Sequence, residues 1–390
     1  MLALATAGFT AGFWAWALLG PLGPTLRDDL GLSSFEQSLV VAVPVIVGSL
    51  GRIPVGALTD RVGARRMFPL VTALTVLPVL YLGHLADSLA EFLVGGFFLG
   101  LGGTTFAVGV PFVNAWYPPE RRGLALGVFG IGTGGTAVSA FTTVQLADAV
   151  DRSFPFTLVA VVLAGYAVTA HFLLRDRPER AVPAGSLLAR TTAALRMPVA
   201  WHLALLYAVA FGGFVAFSVY LPTYLTTAYG LGRSDASLRT AGFVVLAVAA
   251  RPVGGWLSDR LHPVPVLVWA YAAIAALALL ASLEPALVPV GTLAFLGLAA
   301  ALGTGSGAVF ALVARLVPAD RVGSVTGVVG AAGGLGGFFP PLVMGAVYSV
   351  ADDYTWGYLL LALTAAATCA FTATAVRRRA MRPDGRGRGA

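Results

Sequence analysis

A stretch near the start of the chain, RIPVGALTDR at residues 52–61, recurs as RPVGGWLSDR at residues 251–260. The two copies share Arg, Gly, Leu, Asp and Arg at an offset of 199 residues. A second match lies at an offset of 200, where one Pro, one Arg and three Gly of residues 118–130 recur in residues 318–330. Two separated blocks with nearly the same offset indicate a duplicated unit, so the sequence predicts two related halves in the same orientation.

The segments around these blocks are too apolar for a protein that folds in water. Of the 390 residues, 58% are hydrophobic and 11% are charged, and the mean hydropathy is +0.85. Soluble domains carry about 25% charged residues. The composition therefore predicts an all-α polytopic membrane protein and argues against a cytosolic enzyme, a nucleic-acid-binding protein or a disordered scaffold. With a single cysteine, neither a disulfide framework, a metal site nor a cofactor is expected.

Apolar stretches of roughly 20 residues recur along the chain, each long enough to cross a hydrocarbon core of ~30 Å. The longest polar connection, residues 175–198, divides the chain into an N-terminal six-helix bundle, 1–174, and a C-terminal one, 199–376, with a basic tail at 377–390. The twelve predicted spans lie at about 4–26, 36–58, 67–86, 90–116, 122–146, 154–174, 199–228, 237–257, 264–283, 287–315, 322–349 and 355–376.

The arginines fall mainly on one side of these spans. Only Arg27, Arg152, Arg233 and Arg239 are assigned to the opposite loops. Because positive loops stay in the cytoplasm, both termini are predicted to be cytoplasmic, in a multi-pass protein of the cell membrane. The lipid bilayer is thus one expected partner, and the basic charge needs no nucleic-acid partner to explain it.

The loop between the second and third spans, GALTDRVGARR at residues 56–66, resembles the signature loop of the major facilitator superfamily, G-x-L-x-D-R-x-G-x-R-R, at every fixed position. This resemblance implies twelve helices in two pseudo-symmetric six-helix bundles, and a loop that helps to lock the outward-facing state. The implied conformational switch consists of Gly56, Asp60, Arg61, Gly63, Arg65 and Arg66, together with Asp259 and Arg260 in the second half.

Two arginines, Arg52 and Arg251, fall inside predicted spans. Each precedes its loop Asp by eight residues, which is ~12 Å of helix and places both near the membrane midplane. Every Asp, Glu and His falls in a loop or near a span end. A charge inside the membrane marks a functional site by default, and the arginine side chain stays protonated and therefore charged. Two planar guanidiniums without a counter-ion suit a small oxyanion from solution.

Glycine-rich stretches at residues 127–135 and 327–337 begin within the second repeat block and continue beyond it. Together with GTTFAV at 103–108 and the YAVAFGGF stretch at 207–214, they resemble the nitrate/nitrite porter family. The resemblance implies that Arg52 and Arg251 grip the anion and that Phe106, Tyr207 and Phe211 line the pocket. Thr133 and Ser306 stand where the family has Asn, and we expect them at the same site. The implied glycine signatures comprise Gly127, Gly130, Gly132, Gly134 and Gly135, and Gly327, Gly330, Gly333, Gly334, Gly336 and Gly337.

The absence of a titratable group in the predicted pathway favours strict exchange of nitrate for nitrite, by rocker-switch alternating access in a monomer. Three alternatives stay open: nitrate/proton symport, exchange of a small carboxylate such as formate or oxalate, and a transport-dead sensor. An enzyme is not expected. The G-x-G-x-x-G pattern at residues 130–135 lies inside a membrane span, with no βαβ context to bind a dinucleotide.

Overall fold

The computed structural model describes residues 1–117, 122–177, 192–317 and 322–380, and within these ranges the secondary structure is helical, without strands. Helices satisfy every backbone hydrogen bond internally, which is what a hydrocarbon environment demands. The first half contains α1 (Leu2–Trp16 and Leu19–Leu30), α2 (Ser34–Leu50 and Arg52–Val62), α3 (Ala64–His84), α4 (Leu89–Leu99, a 3₁₀ turn Gly100–Thr104, and Thr105–Trp116), α5 (Arg122–Gly130, a 3₁₀ turn Ile131–Gly134, and Gly135–Ala149) and α6 (Phe154–Leu173).

The second half repeats this order. It contains α7 (Pro198–Tyr229), α8 (Arg233–Leu261), α9 (Pro263–Ala281), α10 (a π-helical turn Leu287–Gly291 and Thr292–Leu316), α11 (Val322–Gly336 and Phe339–Ala351) and α12 (Thr355–Phe371, a π-helical turn Thr372–Val376, and Arg377–Ala380).

The predicted spans correspond one to one with α1–α12. Eleven helical segments of the described chain are long and apolar enough to cross a membrane, and the twelfth predicted span corresponds to α5, which is also helical. In the predicted linker, residues 178–191 lie outside the described residues, as do residues 381–390 of the predicted tail. The helix of α12 continues to Ala380, so the first residues of that tail are helical.

Local sequence signals fix several helix ends. Ser33 and Glu36 form a capping box at the start of α2, and Ser88 and Glu91 form another at the start of α4. Such boxes satisfy two backbone N–H groups that have no partner inside the helix. Gly31 ends α1 with a left-handed residue at φ 64°, a conformation that glycine adopts without steric cost.

The two halves meet along a seam. There α1 packs against α7, α2 against α11, and α5 against α8. The last two pairs are related by the repeat, since α2 and α5 correspond to α8 and α11. We call the face at which Leu2 and Ala380 lie the terminal face, and the opposite one the distal face.

Polar contacts close the distal part of the seam. Gln37 Nε2 donates to Thr223 Oγ1 at 2.9 Å, and both side chains are buried. Nearer the distal surface, Arg233 on α8 pairs with Asp28 on α1 at 2.5 Å. The hydroxyl of Ser237 also donates to the Ala140 carbonyl on α5. The two halves therefore adhere on the distal side of Arg52 and Arg251 in this conformation.

Candidate functional site

Arg52 starts the second helix of α2 and is buried, with 6% of its surface exposed. Its Nη1 donates to the Gly330 carbonyl of α11 at 2.8 Å, and its Nε donates to the Gly103 carbonyl of α4 at 3.4 Å. The first of these bonds crosses the seam. The guanidinium is thus held by backbone oxygens, not by a carboxylate.

Arg251 lies in α8 and also bonds across the seam. Its Nη1 donates to Thr133 Oγ1 of α5 at 3.1 Å, and Thr133 in turn donates to the Gly130 carbonyl at 2.8 Å. The Nε and Nη2 of Arg251 are buried and have no hydrogen-bond partner among the described residues. Buried donors of a charged group are costly when unpaired, so these two donors are available to bind an anion.

Aromatic rings surround the two guanidiniums. The Phe211 ring centre lies 5.8 Å from the Cζ of Arg52 and 4.9 Å from that of Arg251. Phe106 lies 5.2 Å from the Arg52 Cζ, and Tyr207 stacks on Phe211 with the ring centres 4.8 Å apart. The structure therefore brings these predicted residues together around the two arginines, where ring faces attract the cations.

Phe214 was missed by the sequence reasoning. Its ring centre lies 4.6 Å from the Arg251 Cζ, closer than that of Phe211. The two phenylalanines are three residues apart on α7, which places them on the same helix face. That spacing is the signal in the sequence that could have identified Phe214.

Ser306 is not joined to the arginines in this conformation. It is buried in α10, and its hydroxyl donates to the Leu302 carbonyl of the same helix at 2.7 Å. Serine commonly bonds in this way to the preceding turn of an apolar helix. Its predicted role at the site stays a prediction.

Two of the hydrogen-bond partners of the central arginines lie in glycine-rich 3₁₀ turns. Gly103 belongs to the turn Gly100–Thr104 in α4, and Thr133 belongs to the turn Ile131–Gly134 in α5. Glycine is a poor helix former, so the backbone tightens locally at these places. A 3₁₀ stretch inside a helix often marks a hinge.

The glycines of the two signatures fall into two groups. At six of them, an added Cβ would lie 2.0 to 2.4 Å from an atom of a neighbouring helix: Gly132, Gly135, Gly333, Gly334, Gly336 and Gly337. Around Gly130, Gly134 and Gly327 there is open space, and at Gly330 the nearest atom is 3.6 Å away, on Phe106. Gly127 lies in α5, with its surroundings outside the described part. Close helix packing therefore explains why glycine is needed at the six crowded positions, but it does not explain the glycines in open space.

The predicted switch residues lie at the terminal ends of α2, α3 and α8. Gly63 has a φ angle of 95°. The backbone N–H of Arg65 donates to a carboxylate oxygen of Asp176 at 3.2 Å, and Asp176 lies just after the end of α6. The Cζ of Arg260 lies 4.3 Å from the centre of a Trp256 ring. The side chain of Asp60 is outside the described part. Gly56, Arg61, Arg66 and Asp259 occupy the same helix ends, and their role in switching stays a prediction.

The donor set determines what the site can do. Among the described residues, neither Arg52 nor Arg251 forms an ion pair, and no group of His, Cys, Asp or Glu is suited to hold a metal ion. Two guanidiniums beside aromatic ring faces can bind an anion, but they offer no acid or base for catalysis at neutral pH. Two repeated six-helix bundles with a buried cationic site on their seam define a secondary transporter.

Comparison with known proteins narrows this class. The model of the Major Facilitator Superfamily matches residues 4–341, and matches again over 229–389. The "Probable nitrate/nitrite transporter NarK2" of Mycobacterium tuberculosis (strain ATCC 25618 / H37Rv) is 52% identical over 379 residues, which cover 96% of both chains. The "Nitrite extrusion protein" of Bacillus subtilis (strain 168) is 40% identical over 94% of this chain and 92% of that protein. The chain therefore belongs to the Major Facilitator Superfamily and, within it, to the nitrate/nitrite porters.

Solved structures agree on the fold. A D-xylose-proton symporter superposes with a TM-score of 0.77 at 16% identity, over 96% of both chains. A bacterial homologue of the human lysosomal transporter Spinster, inward-facing and occupied, gives 0.76 at 17% identity, also over 96% of both chains. The all-α, two-bundle membrane architecture is thereby confirmed. The family match and the sequence relatives confirm that the protein is a transporter and not an enzyme.

Proposed function

We propose that the protein exchanges nitrate and nitrite across a membrane by alternating access between its two halves. One observation carries the proposal. Arg52 and Arg251 come from opposite halves and share the ring of Phe211, and neither has an acidic partner among the described residues. A small anion supplies the missing charge, and the names of the relatives point to nitrate and nitrite as that anion.

Shape and charge support the same anions. Nitrate and nitrite are planar, and their oxygens accept hydrogen bonds in the plane, which matches the paired N–H donors of a guanidinium. Phe106 and Phe211 supply flat walls beside the cations, and Tyr207 backs Phe211. Arg52 is buried in this conformation, and so are the Nε and Nη2 atoms of Arg251. Movement of the two halves then releases a bound anion to the other side of the membrane.

The side chains at the site support exchange over proton symport. The described contacts of the two arginines are with backbone carbonyls, Thr133 and aromatic rings. None of these groups takes up a proton near neutral pH. Two buried positive charges oppose full closure of an empty site. The loaded carrier therefore switches more readily than the empty one, which couples entry of one anion to exit of another.

We further propose that the terminal face is cytoplasmic and that one chain is the working unit. Arg65, Arg66, Arg196, Arg315 and Arg377 lie at that face, as expected of a cytoplasmic surface. Each half contributes one central arginine, so a single chain contains the complete site. Residues 175–198 then form a cytoplasmic linker between the bundles.

Counterflow in proteoliposomes tests the proposal. Vesicles loaded with nitrite receive isotope-labelled nitrate outside, and uptake is compared between the wild-type protein, Arg52→Lys, Arg251→Lys and Arg239→Lys. Arg239 is the matched control, because it pairs with Asp235 one turn away on α8. Loss of the planar fork should lower uptake about 10- to 100-fold in the first two variants. Arg239→Lys should behave like wild type.

The composition of the vesicles distinguishes the coupling modes. Uptake that requires internal nitrite supports exchange. Uptake into nitrite-free vesicles that grows with an imposed proton gradient would replace exchange with symport. If neither nitrate nor nitrite moves under any condition, the substrate assignment is wrong.

A further inference from the structure

The two central arginines are equivalent in the repeat but differ in their hydrogen bonding. Arg52 directs both Nη1 and Nε at backbone carbonyls, those of Gly330 and Gly103. Arg251 directs only Nη1 at a protein acceptor, Thr133 Oγ1, and its Nε and Nη2 are buried without a partner among the described residues.

The free donors of Arg251 form one functional edge. Nε and Nη2 are adjacent along one side of the planar guanidinium, and this edge binds oxyanions through two parallel hydrogen bonds. In Arg52, by contrast, the same edge is turned toward the Gly103 carbonyl. In this conformation a planar anion therefore finds a free pair of adjacent donors on Arg251 but not on Arg52.

Thr133 fixes the direction of that edge. The threonine is buried, with 2% of its surface exposed, and its hydroxyl proton is donated to the Gly130 carbonyl at 2.8 Å. Since its proton is committed, the hydroxyl oxygen can only accept, and it accepts from Arg251 Nη1. This bond restrains rotation of the guanidinium. Thr133 is thus a positioning residue, one that orients Arg251 without touching the anion.

The repeat explains why only one arginine has such an intermediary. Gly130 and Gly330 are equivalent, and both carbonyls are acceptors at the seam, but Arg52 reaches the Gly330 carbonyl directly. The position equivalent to Thr133 is Gly333, where a Cβ would lie 2.2 Å from the Tyr207 ring. The ring of Tyr207 thus occupies the space that a side chain would need on that side.

Resting on the proposed function, we propose an order of engagement. The anion docks first on the Nε and Nη2 edge of Arg251, which Thr133 holds in place. It then draws Arg52 Nη1 away from the Gly330 carbonyl. Because this bond joins α2 to α11, its loss removes one of the contacts that hold the two halves together near the site. Arg251 and Thr133 set affinity, whereas Arg52 couples occupancy to switching.

Calorimetric titration of the detergent-solubilised protein with nitrate, in parallel with proteoliposome exchange, separates these roles. Arg251→Lys should weaken nitrate binding by tenfold or more, whereas Arg52→Lys should keep the Kd within about threefold and still lose at least tenfold in exchange rate. Thr133→Val should raise the Kd and the exchange KM about tenfold while the maximal rate is retained, and Thr133→Ser should restore both.

Thr136→Val is the matched control, since Thr136 is buried in the same helix and bonds only to the Thr133 carbonyl at 2.9 Å among the hydrogen bonds described. If Thr133→Val does not fold, Thr133→Ala takes its place. Equal loss of binding in the two arginine variants, or an unchanged KM in Thr133→Val, would overturn the order of engagement. Failure of the wild-type protein to bind or exchange nitrate and nitrite is a different result, which refutes the proposed function instead.

Discussion

Gly63 and His262 occupy equivalent positions in the two halves, and both have positive φ angles, 95° and 76°. Each joins two helices at the terminal face, Gly63 between α2 and α3 and His262 between α8 and α9. Glycine adopts this conformation without strain, but histidine does not. The histidine side chain offers partial compensation, because its Nδ1 accepts the backbone N–H of Val264 at 3.3 Å and so caps α9.

His262→Gly should therefore stabilise the protein. Relief of backbone strain is worth ~1–3 kcal/mol, and loss of the cap costs ~1 kcal/mol, so a net gain of about 1 kcal/mol is expected. His262→Ala is the control, because it loses the cap and keeps the strain, and it should be less stable than wild type. Thermal unfolding in detergent measures both. Equal melting temperatures for the two variants would mean that the backbone at this position is not strained.

The same histidine should make stability depend on pH. Burial, followed by the nearby positive charge of Arg315, lowers the pKa of His262 below its usual value near 6.5. The folded state therefore binds the proton less readily than the unfolded state. This contribution to stability is complete above pH 6.5 and declines as the pH falls below it. Melting temperatures from pH 8 to 5.5 should drop more for wild type than for His262→Gly. If the melting temperatures of the two proteins fell by the same amount, groups other than His262 would be responsible for the acid sensitivity.

Gly134 and Gly135 are adjacent on α5, but substitution by alanine should change the stability of the protein in opposite directions at the two positions. A Cβ on Gly135 would lie 2.1 Å from the Thr10 carbonyl oxygen of α1, whereas a Cβ on Gly134 would meet nothing within 4 Å. Backbone cannot move aside cheaply, so Gly135→Ala should cost about 3 kcal/mol. Gly134→Ala should be neutral or stabilising by up to ~1 kcal/mol. Yield of monodisperse protein and its melting temperature test the pair, and similar values for both variants would contradict the packing described.

The ion pair between Asp28 and Arg233 should affect conformation more than stability. Its side chains are 65% and 39% exposed, so Asp28→Asn should change the free energy of unfolding by less than ~1 kcal/mol. Because the pair joins α1 to α8 across the seam, the same energy should favour distal opening up to about fivefold. Asp235→Asn is the control, since that pair lies within α8.

Labelling of a cysteine introduced at Ser237, with Cys369 replaced, reports this opening. Ser237 is buried at the distal seam in the present conformation. Faster labelling in Asp28→Asn than in Asp235→Asn is expected. The same rate in both variants would show that the ion pair does not hold the seam.

Phe211→Leu should weaken anion exchange with little effect on folding. The leucine fills a similar space but loses the ring face that two guanidiniums share. A desolvated cation–π contact is worth ~2 kcal/mol, so the KM should rise at least about tenfold. Phe217→Leu is the control, because Phe217 lies on the same helix α7 and its ring packs on Phe243 of α8, with the ring centres 5.2 Å apart. If both variants had the same KM, Phe211 would serve only as packing.

The positions of the helices and of the two central arginines were predictable because they depend on local or repeated properties of the chain. Span length and hydropathy are read directly from consecutive residues, and α1–α12 fall within a few residues of the predicted spans. The capping pairs Ser33–Glu36 and Ser88–Glu91 mark helix starts just as locally. Arg52 and Arg251 stood out because a charge inside an apolar span is rare.

The partners of those arginines could not be predicted in the same way. Arg52 bonds to the carbonyl of Gly330, 278 residues away, and a backbone oxygen carries no side-chain signal. Thr133 and Ser306 look alike as hydroxyl residues in the sequence. Only Thr133 receives a bond from Arg251, while Ser306 donates to its own helix.

The sequence by itself thus determined the membrane-spanning helices, the duplication and the two buried charges, since hydropathy, repeat spacing and charge are properties of the residues themselves. The tertiary structure decided the rest. It decided which carbonyl satisfies Arg52, which edge of Arg251 stays free, and that Phe211 and Phe214 face the cations. Hydrogen bonds and ring contacts act over only a few ångströms, so they exist only once packing has brought distant helices together.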